Sequence, residues 1–282
     1  MKKTKFVTLS IIISVFLSCI GHKSKQIEVE SNDSLKKSLL ADTLIFESDS
    51  IEVIPENVDD LFADFVYCFF SNENLQEKRT EFPLLFVENG VERSIPRTDW
   101  SFISLLGNLE CYAIIHERET DLEQFSEQMI CKISVKLVLQ NNSEVISYNF
   151  HKVSEKWILT DVCRTPLQSE KDGDFIQFFY RFTSDSLFQE NHLCSSLQMA
   201  ILDPVDEFNT IEATINSEQW SSFAPILTNN SLLFLDLGLN HIGYSSCKFI
   251  SLRGFGNGLD NTFKFIRKDN TWMLSKFEDY SN

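Results

Sequence analysis

The fold prediction for this chain rests on two aromatic stretches, FVYCFFSNENLQ at residues 65–76 and FFYRFTSDSLFQ at residues 178–189. Their Phe residues recur three and four positions apart, which is the spacing of one face of an amphipathic helix. Their positions also match at a constant offset of 113 residues, from Phe62 and Phe175 to Gln76 and Gln189. Similarity at a fixed offset indicates an internal duplication. We therefore expect each stretch to form the first helix of a repeated unit.

The match continues downstream with small changes of spacing, as insertions in loops would produce. Trp100 corresponds to Trp220, Cys131 to Cys247, and KWIL at 156–159 to TWML at 271–274. The sequence thus predicts two tandem units, residues 58–166 and residues 174–282.

Each unit begins with helices and continues as strands. The predicted second helices are capped by Asn74 with Glu77 and by Ser186 with Gln189, and Pro83 is expected to end the first of them. Trp100 and Trp220 are expected to open short helical segments, the latter behind Asn216 or Ser217. Asn89-Gly90 predicts a hairpin turn.

The remaining strand-like segments predict a long sheet in each unit. They read CYAIIHE, ICKISVKLVLQ and VISYNFHKVSEKWILTDV in the first unit, and SLLFLDLG, CKFISLRG and TFKFIRKDNTWMLSKF in the second. Helices followed by strands predict an α+β fold with helices on a curved antiparallel sheet.

This order resembles the nuclear transport factor 2-like, cystatin-like fold, a cone with an internal pocket. With the FVYCFF…LQEKR…FPL motif and the RGFGNG…WML ending, residues 58–282 look like an uncharacterised bacterial lipoprotein family, a domain of unknown function built from two such cones. The resemblance implies a fold and a location, and it implies no reaction.

The N-terminus predicts export and lipid anchoring. Residues 1–18 have a basic start and a short apolar run, which are typical of a signal peptide. Their end, with Ser18 before Cys19, resembles a bacterial lipobox, so we expect lipidation of Cys19. Residues 19–57 are polar and are expected to form a flexible, acidic tether. The prediction is a cell-envelope lipoprotein, facing the periplasm from the outer membrane.

The formal net charge of −16 argues against a nucleic-acid partner, because such a surface repels phosphate. An exported chain with six further cysteines is permitted disulfides, but apolar neighbours favour buried thiols. These cysteines are Cys68, Cys111, Cys131, Cys163, Cys194 and Cys247.

No local motif indicates catalysis, a cofactor or a metal. The histidines are scattered without a ligand spacing, and Gly254, Gly256 and Gly258 lie between two strands, where Asn257-Gly258 reads as a turn. We therefore expect no catalytic, cofactor-binding or metal-binding residues, and the sequence favours a module that binds an envelope protein or a small apolar ligand. The alternatives are a structural spacer and a small-molecule enzyme of the isomerase or dehydratase type, with acid-base chemistry by a Tyr and a carboxylate in one cone pocket.

Tyr67 and Tyr180 are the candidate pocket or interface residues. Each lies roughly 120° from the centre of its Phe stripe, at about 100° per residue, so neither is expected on the buried face. Either ring could pack beneath a neighbouring element with its hydroxyl at the surface, or it could line a pocket or a contact between the units.

Overall fold

Both Phe-rich stretches form helices, as their spacing predicts. A computed structural model describes residues 55–105, 110–122, 130–139, 143–206, 209–224, 231–239 and 245–282. Helix α1 spans Phe62–Ser71 and buries Phe65, Val66, Phe69 and Phe70. The signal peptide, Cys19 and most of the tether lie outside the described residues. Among the described helices, none is long and apolar enough to cross a membrane.

A short second helix follows each long one, but its cap differs from the predicted cap. Helix α2 spans Glu73–Lys78, helix α3 spans Gly173–Ser184 and helix α4 spans Ser186–Glu190. The side chain of Asn72 accepts from Leu75 N at 2.9 Å, and Asp185 accepts from Phe188 N at 3.0 Å. The predicted caps at Asn74 and Ser186 are wrong, because the chain is already extended at the residue that links each pair of helices.

Twelve strands account for most of the remaining described chain, together with the short helix α5 at Ser217–Trp220. The strands are β1 Thr80–Glu88, β2 Val91–Ile95, β3 Cys111–His116, β4 Lys132–Leu139, β5 Glu144–Val153, β6 Lys156–Pro166, β7 Leu193–Leu202, β8 Thr210–Ile215, β9 Ser231–Asp236, β10 Cys247–Gly254, β11 Asp260–Lys268 and β12 Thr271–Asp279. Every strand-like segment singled out in the sequence is a strand, whereas β7 and β8 lacked a recognised signal.

The fold is α+β, and all twelve strands form one curved sheet in the order β2-β1-β6-β5-β4-β9-β3-β10-β11-β12-β7-β8. The expectation of an antiparallel sheet is wrong, because the sheet is mixed. Strands β1 and β6, β7 and β12, and β3 and β9 pair in parallel. Parallel strands need a long connection between them. Strand β6 follows β1 only after four intervening strands, and this length of chain allows the two to pair in parallel.

The middle of the sheet departs from simple sequential pairing. Strand β3 pairs with β10, which lies far along the chain, and strand β9 pairs with β4. The two strands also pair with each other, with Tyr112 opposite Leu233 and Ala113 opposite Phe234. The strand order is symmetric about its centre. Counted inward from the two ends, the strands at equivalent positions are β2 and β8, β1 and β7, β6 and β12, β5 and β11, β4 and β10, and β9 and β3.

The predicted hairpin turn is confirmed, and three smaller predictions, at Pro83, Trp100 and Trp220, are wrong. Asn89 and Gly90 have φ of 50° and 82°, as a type I′ hairpin requires. Pro83 lies inside β1 rather than at the end of a helix, since α2 already ends at Lys78. Trp220 ends helix α5, which Asn216 caps with Gln219, and Trp100 follows a 3-10 turn instead of opening a helix.

Candidate functional site

Tyr180 is buried in the sheet-facing side of helix α3. The residue is 5% exposed, and its hydroxyl accepts from Leu232 N at 2.6 Å and donates to Val138 O at 3.4 Å. Val138 and Leu232 are register partners across β4 and β9, so the hydroxyl bridges two paired backbone positions. Burial raises the pKa of Tyr180 well above its ordinary value. Its position off the Phe stripe did not leave it exposed, because β4 and β9 cover that side of the helix.

Tyr67, at the matching position of helix α1, has different surroundings. It is 40% exposed, and its ring contacts Phe255 with the centroids 5.9 Å apart. Phe255 in turn contacts Tyr112 of β3 at 5.1 Å. Among the described residues, neither Tyr67 nor Tyr112 has a hydrogen-bond partner for its hydroxyl. The two tyrosines singled out together in the sequence therefore lie at separate places and do not form one site.

A cavity of about 280 Å³ opens between the start of α3 and the central strands β3, β4 and β9. Apolar side chains supply one part of its wall, and they are Ile115, Ile176, Phe234, Leu235, Leu237 and Leu239. Ionisable side chains supply the other part, and they are Lys136, Glu170, Lys171, Asp172 and Asp236. An apolar wall with a few polar groups is the usual composition of a small-molecule pocket.

Lys136 is the central charge of this cavity. Its ammonium lies 2.8 Å from Glu170 and 2.8 Å from Asp236. Burial alone would lower the pKa of Lys136, but the two carboxylates outweigh burial and raise that pKa above its ordinary value. Burial would likewise raise the pKa of Asp236, and Lys136 instead holds it below the usual range. Both groups consequently stay charged near neutral pH.

A second lysine beside the cavity repeats this pairing. Lys248 lies 2.7 Å from Asp172, which lines the cavity, and 3.2 Å from Glu117. Each of the two lysines thus has two carboxylate partners, and each cluster carries a formal excess of one negative charge. Lys171 lines the same cavity and has no ion-pair partner among the described residues. The cavity is therefore lined by one lysine paired with two carboxylates, Lys136, and by one exposed lysine, Lys171, while the paired Lys248 lies beside it.

The other sequence-predicted groups form no site in the described part of the chain. All six cysteines that the structure describes are free. His116 is buried and bonds to Ser251 Oγ at 3.0 Å, and His192 stacks on Phe188 at 3.7 Å. Gly254 ends strand β10, and Gly256 and Gly258 belong to the turn between β10 and β11. Within the described ranges, no group of three or more His, Cys, Asp or Glu side chains is placed to hold a metal ion.

Sequence reasoning missed Lys136, Glu170 and Asp236. The available signal was a charge in the middle of an apolar strand, Lys136 in ICKISVKLVLQ and Asp236 in SLLFLDLG. A charge in such a strand needs a partner when the strand is buried. Finding the partner required the pairing of β4 with β9, which places Lys136 and Asp236 on neighbouring strands.

The chain belongs to a family described as a domain of unknown function, DUF4348, whose profile matches residues 42–279. Among solved structures, it is similar to an NTF2-like protein from Bacteroides fragilis, with 31% sequence identity and a TM-score of 0.73. That similarity covers 81% of this chain and 99% of the other. It supports the NTF2-like fold that the sequence resemblance implied. A search of curated proteins found no match.

Proposed function

We propose that residues 58–166 and 174–282 are two copies of one α+β unit that have exchanged their central strands, β3 and β9. Contacts at matching positions support this. Ser71 donates to Tyr67 O at 2.7 Å, and Ser184 donates to Tyr180 O at 2.8 Å. In both units the first helix also packs on the last hairpin through the same ring contact. The ring centroids of Phe62 and Trp157 are 4.7 Å apart, and those of Phe175 and Trp272 are 4.9 Å apart.

We also propose that the chain is a cell-envelope lipoprotein, anchored by acyl chains on Cys19 and held at the outer membrane facing the periplasm. The support is the sequence of residues 1–18 and the polar segment that follows it. Acyl chains stabilise membrane association by about 0.8 kcal/mol per buried CH₂. Mass spectrometry of the mature protein should show a lipid-modified Cys19 at the N-terminus, and an unmodified N-terminus would contradict the anchor.

The folded part is proposed to be a binding module without catalytic activity, and the cavity beside Lys136 carries this proposal. Acid-base catalysis near neutral pH needs a group that can change protonation there. Lys136 and Asp236 have pKa values displaced in the opposite sense, toward permanent charge. Tyr180, which the enzyme alternative would use, is committed to backbone groups of Val138 and Leu232. The cavity is better suited to holding a molecule than to transferring a proton.

The apolar wall favours a small, mainly apolar ligand. Burial of apolar surface contributes roughly 25 cal/mol per Å² removed from water, so this wall can supply most of the affinity. The charged rim would contact a polar end of the ligand, with Lys171 as the accessible cation. An envelope protein is the other partner considered, but the concave shape of the site favours a small molecule.

The test uses N-phenyl-1-naphthylamine, an uncharged fluorescent probe of apolar sites. We expect saturable binding to the full chain and a loss of at least about tenfold in affinity for Ile115→Trp, which fills the cavity. Leu187→Ser is the control variant, because Leu187 is 69% exposed on α4 and does not line the cavity. Equal affinity for Ile115→Trp and the unsubstituted chain would contradict the proposal.

A further inference from the structure

The surroundings of Tyr67 form a second site, separate from the cavity. Tyr67, Phe255 and Tyr112 make a continuous row of three rings, with centroid separations of 5.9 Å and 5.1 Å. The row spans helix α1, the turn after β10 and strand β3. Tyr67 is 40% exposed and the other two residues are partly exposed, so solvent reaches the row.

The turn that carries Phe255 is fixed in place by hydrogen bonds. Phe255 N donates to Glu110 O at 3.0 Å, and the side chain of Asn257 donates to the same carbonyl at 3.0 Å. Gly256 has φ of +71°, a left-handed conformation that glycine adopts without strain. The aromatic row is consequently attached to the start of β3 by two bonds and does not depend on ring packing alone.

Negative charge accompanies the three rings. Asp64 precedes Tyr67 by three residues on α1, which places the two side chains on one face of the helix. Asp64 is exposed, and no described residue forms an ion pair with it. Asp260 lies on the other side, paired with Arg253 at 2.5 Å. Burial is the main cause of the raised pKa of Tyr112; the Arg253 guanidinium acts to lower that pKa, and the negative charges of Asp64 and Asp260 act to raise it.

We propose that Tyr67, Tyr112 and Phe255, together with Asp64, bind a small organic ammonium cation. Aromatic faces attract such cations through the ring quadrupole, and quaternary ammonium groups are bound in this way by sets of aromatic rings. Asp64 supplies the balancing charge, and the pairing of Arg253 with Asp260 leaves the site with an excess of one carboxylate. An anionic or neutral ligand lacks this complementarity.

The second half of the chain offers an internal comparison. At the offset of 113 residues, Asp64 corresponds to Gln177 and Tyr67 to Tyr180. Tyr180 is buried and hydrogen bonded to backbone, so neither an accessible ring nor a carboxylate is present at the matching positions. The ammonium site beside α1 therefore has no equivalent at the matching positions of α3.

The experiment titrates the full chain with choline and, separately, with 3,3-dimethylbutan-1-ol, which replaces the ammonium by an uncharged carbon of the same shape. Tyr ring signals in NMR spectra report binding at constant ionic strength. We expect saturable shifts with choline and affinity at least about tenfold weaker for the alcohol. Equal affinity for the two, or no saturable shift with choline, would overturn the proposal.

Variants locate the site. Asp64→Asn and Tyr67→Leu should each weaken choline binding by about fivefold or more, while thermal unfolding stays unchanged because both side chains are exposed. Glu190→Gln is the charge-matched control, since Glu190 is exposed at the end of α4, and it should bind choline like the unsubstituted chain. If Tyr67→Leu instead abolishes a dimer seen by size-exclusion chromatography, the rings serve a second copy of the chain and the ammonium proposal fails.

Discussion

Tyr67 and Tyr180 occupy the same position of two matching helices, and they have opposite environments. Tyr180 is 5% exposed and bridges β4 and β9 through its hydroxyl. Tyr67 is 40% exposed and contacts Phe255. The helices are alike in their Phe stripes, so the difference arises from the strands and turns that pack beside them. Similar local sequence therefore specifies the helix and its core face, and the neighbouring elements determine whether the tyrosine at the matching position is buried or exposed.

The largest difference should appear when each ring is removed. Tyr180→Ala should destabilise the protein by about 3–5 kcal/mol, because it leaves a cavity and two backbone groups without their partner. Tyr67→Ala should cost less than about 1 kcal/mol, since most surface substitutions have small effects. Urea unfolding followed by Trp fluorescence measures both values.

The phenylalanine variants sharpen the same comparison. Tyr180→Phe keeps the ring and removes the hydroxyl that Leu232 N and Val138 O contact, so a loss of about 1–3 kcal/mol is expected. Tyr67→Phe should leave the unfolding free energy unchanged. Similar losses for the two tyrosines would show that the environments are equivalent in solution, contrary to the structure.

An intermediate difference is expected at Gln76 and Gln189, a second matched pair. Both side chains donate to a helix carbonyl, Gln76 to Phe69 O at 3.0 Å and Gln189 to Phe182 O at 3.2 Å. Gln76 is fully buried and also bonds both backbone groups of Ile103, at 2.9 Å and 2.8 Å. Gln76→Ala should therefore cost about 2–3 kcal/mol, and Gln189→Ala about 1 kcal/mol.

Chemical denaturation of both Gln variants, at the same pH and temperature, provides this measurement. Gln76→Leu serves as a further control, because it retains side-chain volume while removing the three hydrogen bonds. If Gln76→Leu is as stable as the unsubstituted chain, packing rather than hydrogen bonding explains the burial of Gln76.

The smallest effect concerns the charged cavity beside the start of α3. The pKa of Asp236 is held below its ordinary value of 3.8, so ionised Asp236 stabilises the fold above that pH. The contribution disappears as pH falls through the lowered value. Unfolding free energy should fall more steeply for the unsubstituted chain than for Asp236→Asn between about pH 5 and pH 3.

The size of this pH effect should stay below about 1 kcal/mol, because the side chain of Asp236 is 46% exposed and solvent screens the pair. Lys136→Met should flatten the same part of the curve, since it removes the cation that lowers the pKa of Asp236. Parallel curves for all three proteins would show that the pair does not contribute to stability.

Much of the local structure followed from residue spacing. The Phe stripes predicted α1 and α3, Asn89-Gly90 predicted the first hairpin, and Trp157 and Trp272 were expected on closing strands, which are β6 and β12. These features depend on contacts within a few residues, or on a single buried face, and periodicity reports both. The helix caps were mispredicted by one or two residues because several polar side chains lay near each helix start, and only the backbone conformation selects among them.

The candidate sites were less accessible to sequence reasoning. Tyr67 was singled out because the core did not account for it, and it lies in the proposed ammonium site. Tyr180 was singled out for the same reason, yet it is buried and its hydroxyl bonds the backbones of β4 and β9. Lys136 and Asp236 were not recognised, because their significance depends on which strands are neighbours.

The sequence by itself determined the helices, most strands and the α+β class, since each is encoded in residue spacing or in the alternation of apolar residues. Only the tertiary structure decided that β3 pairs with β10 and β9 with β4. Alternation states which face of a strand is buried, but it does not identify the neighbouring strand. The pairing of β3 with β10 places Tyr112 beside Phe255, and the pairing of β9 with β4 places Asp236 beside Lys136, so two similar sequences produce two different sites.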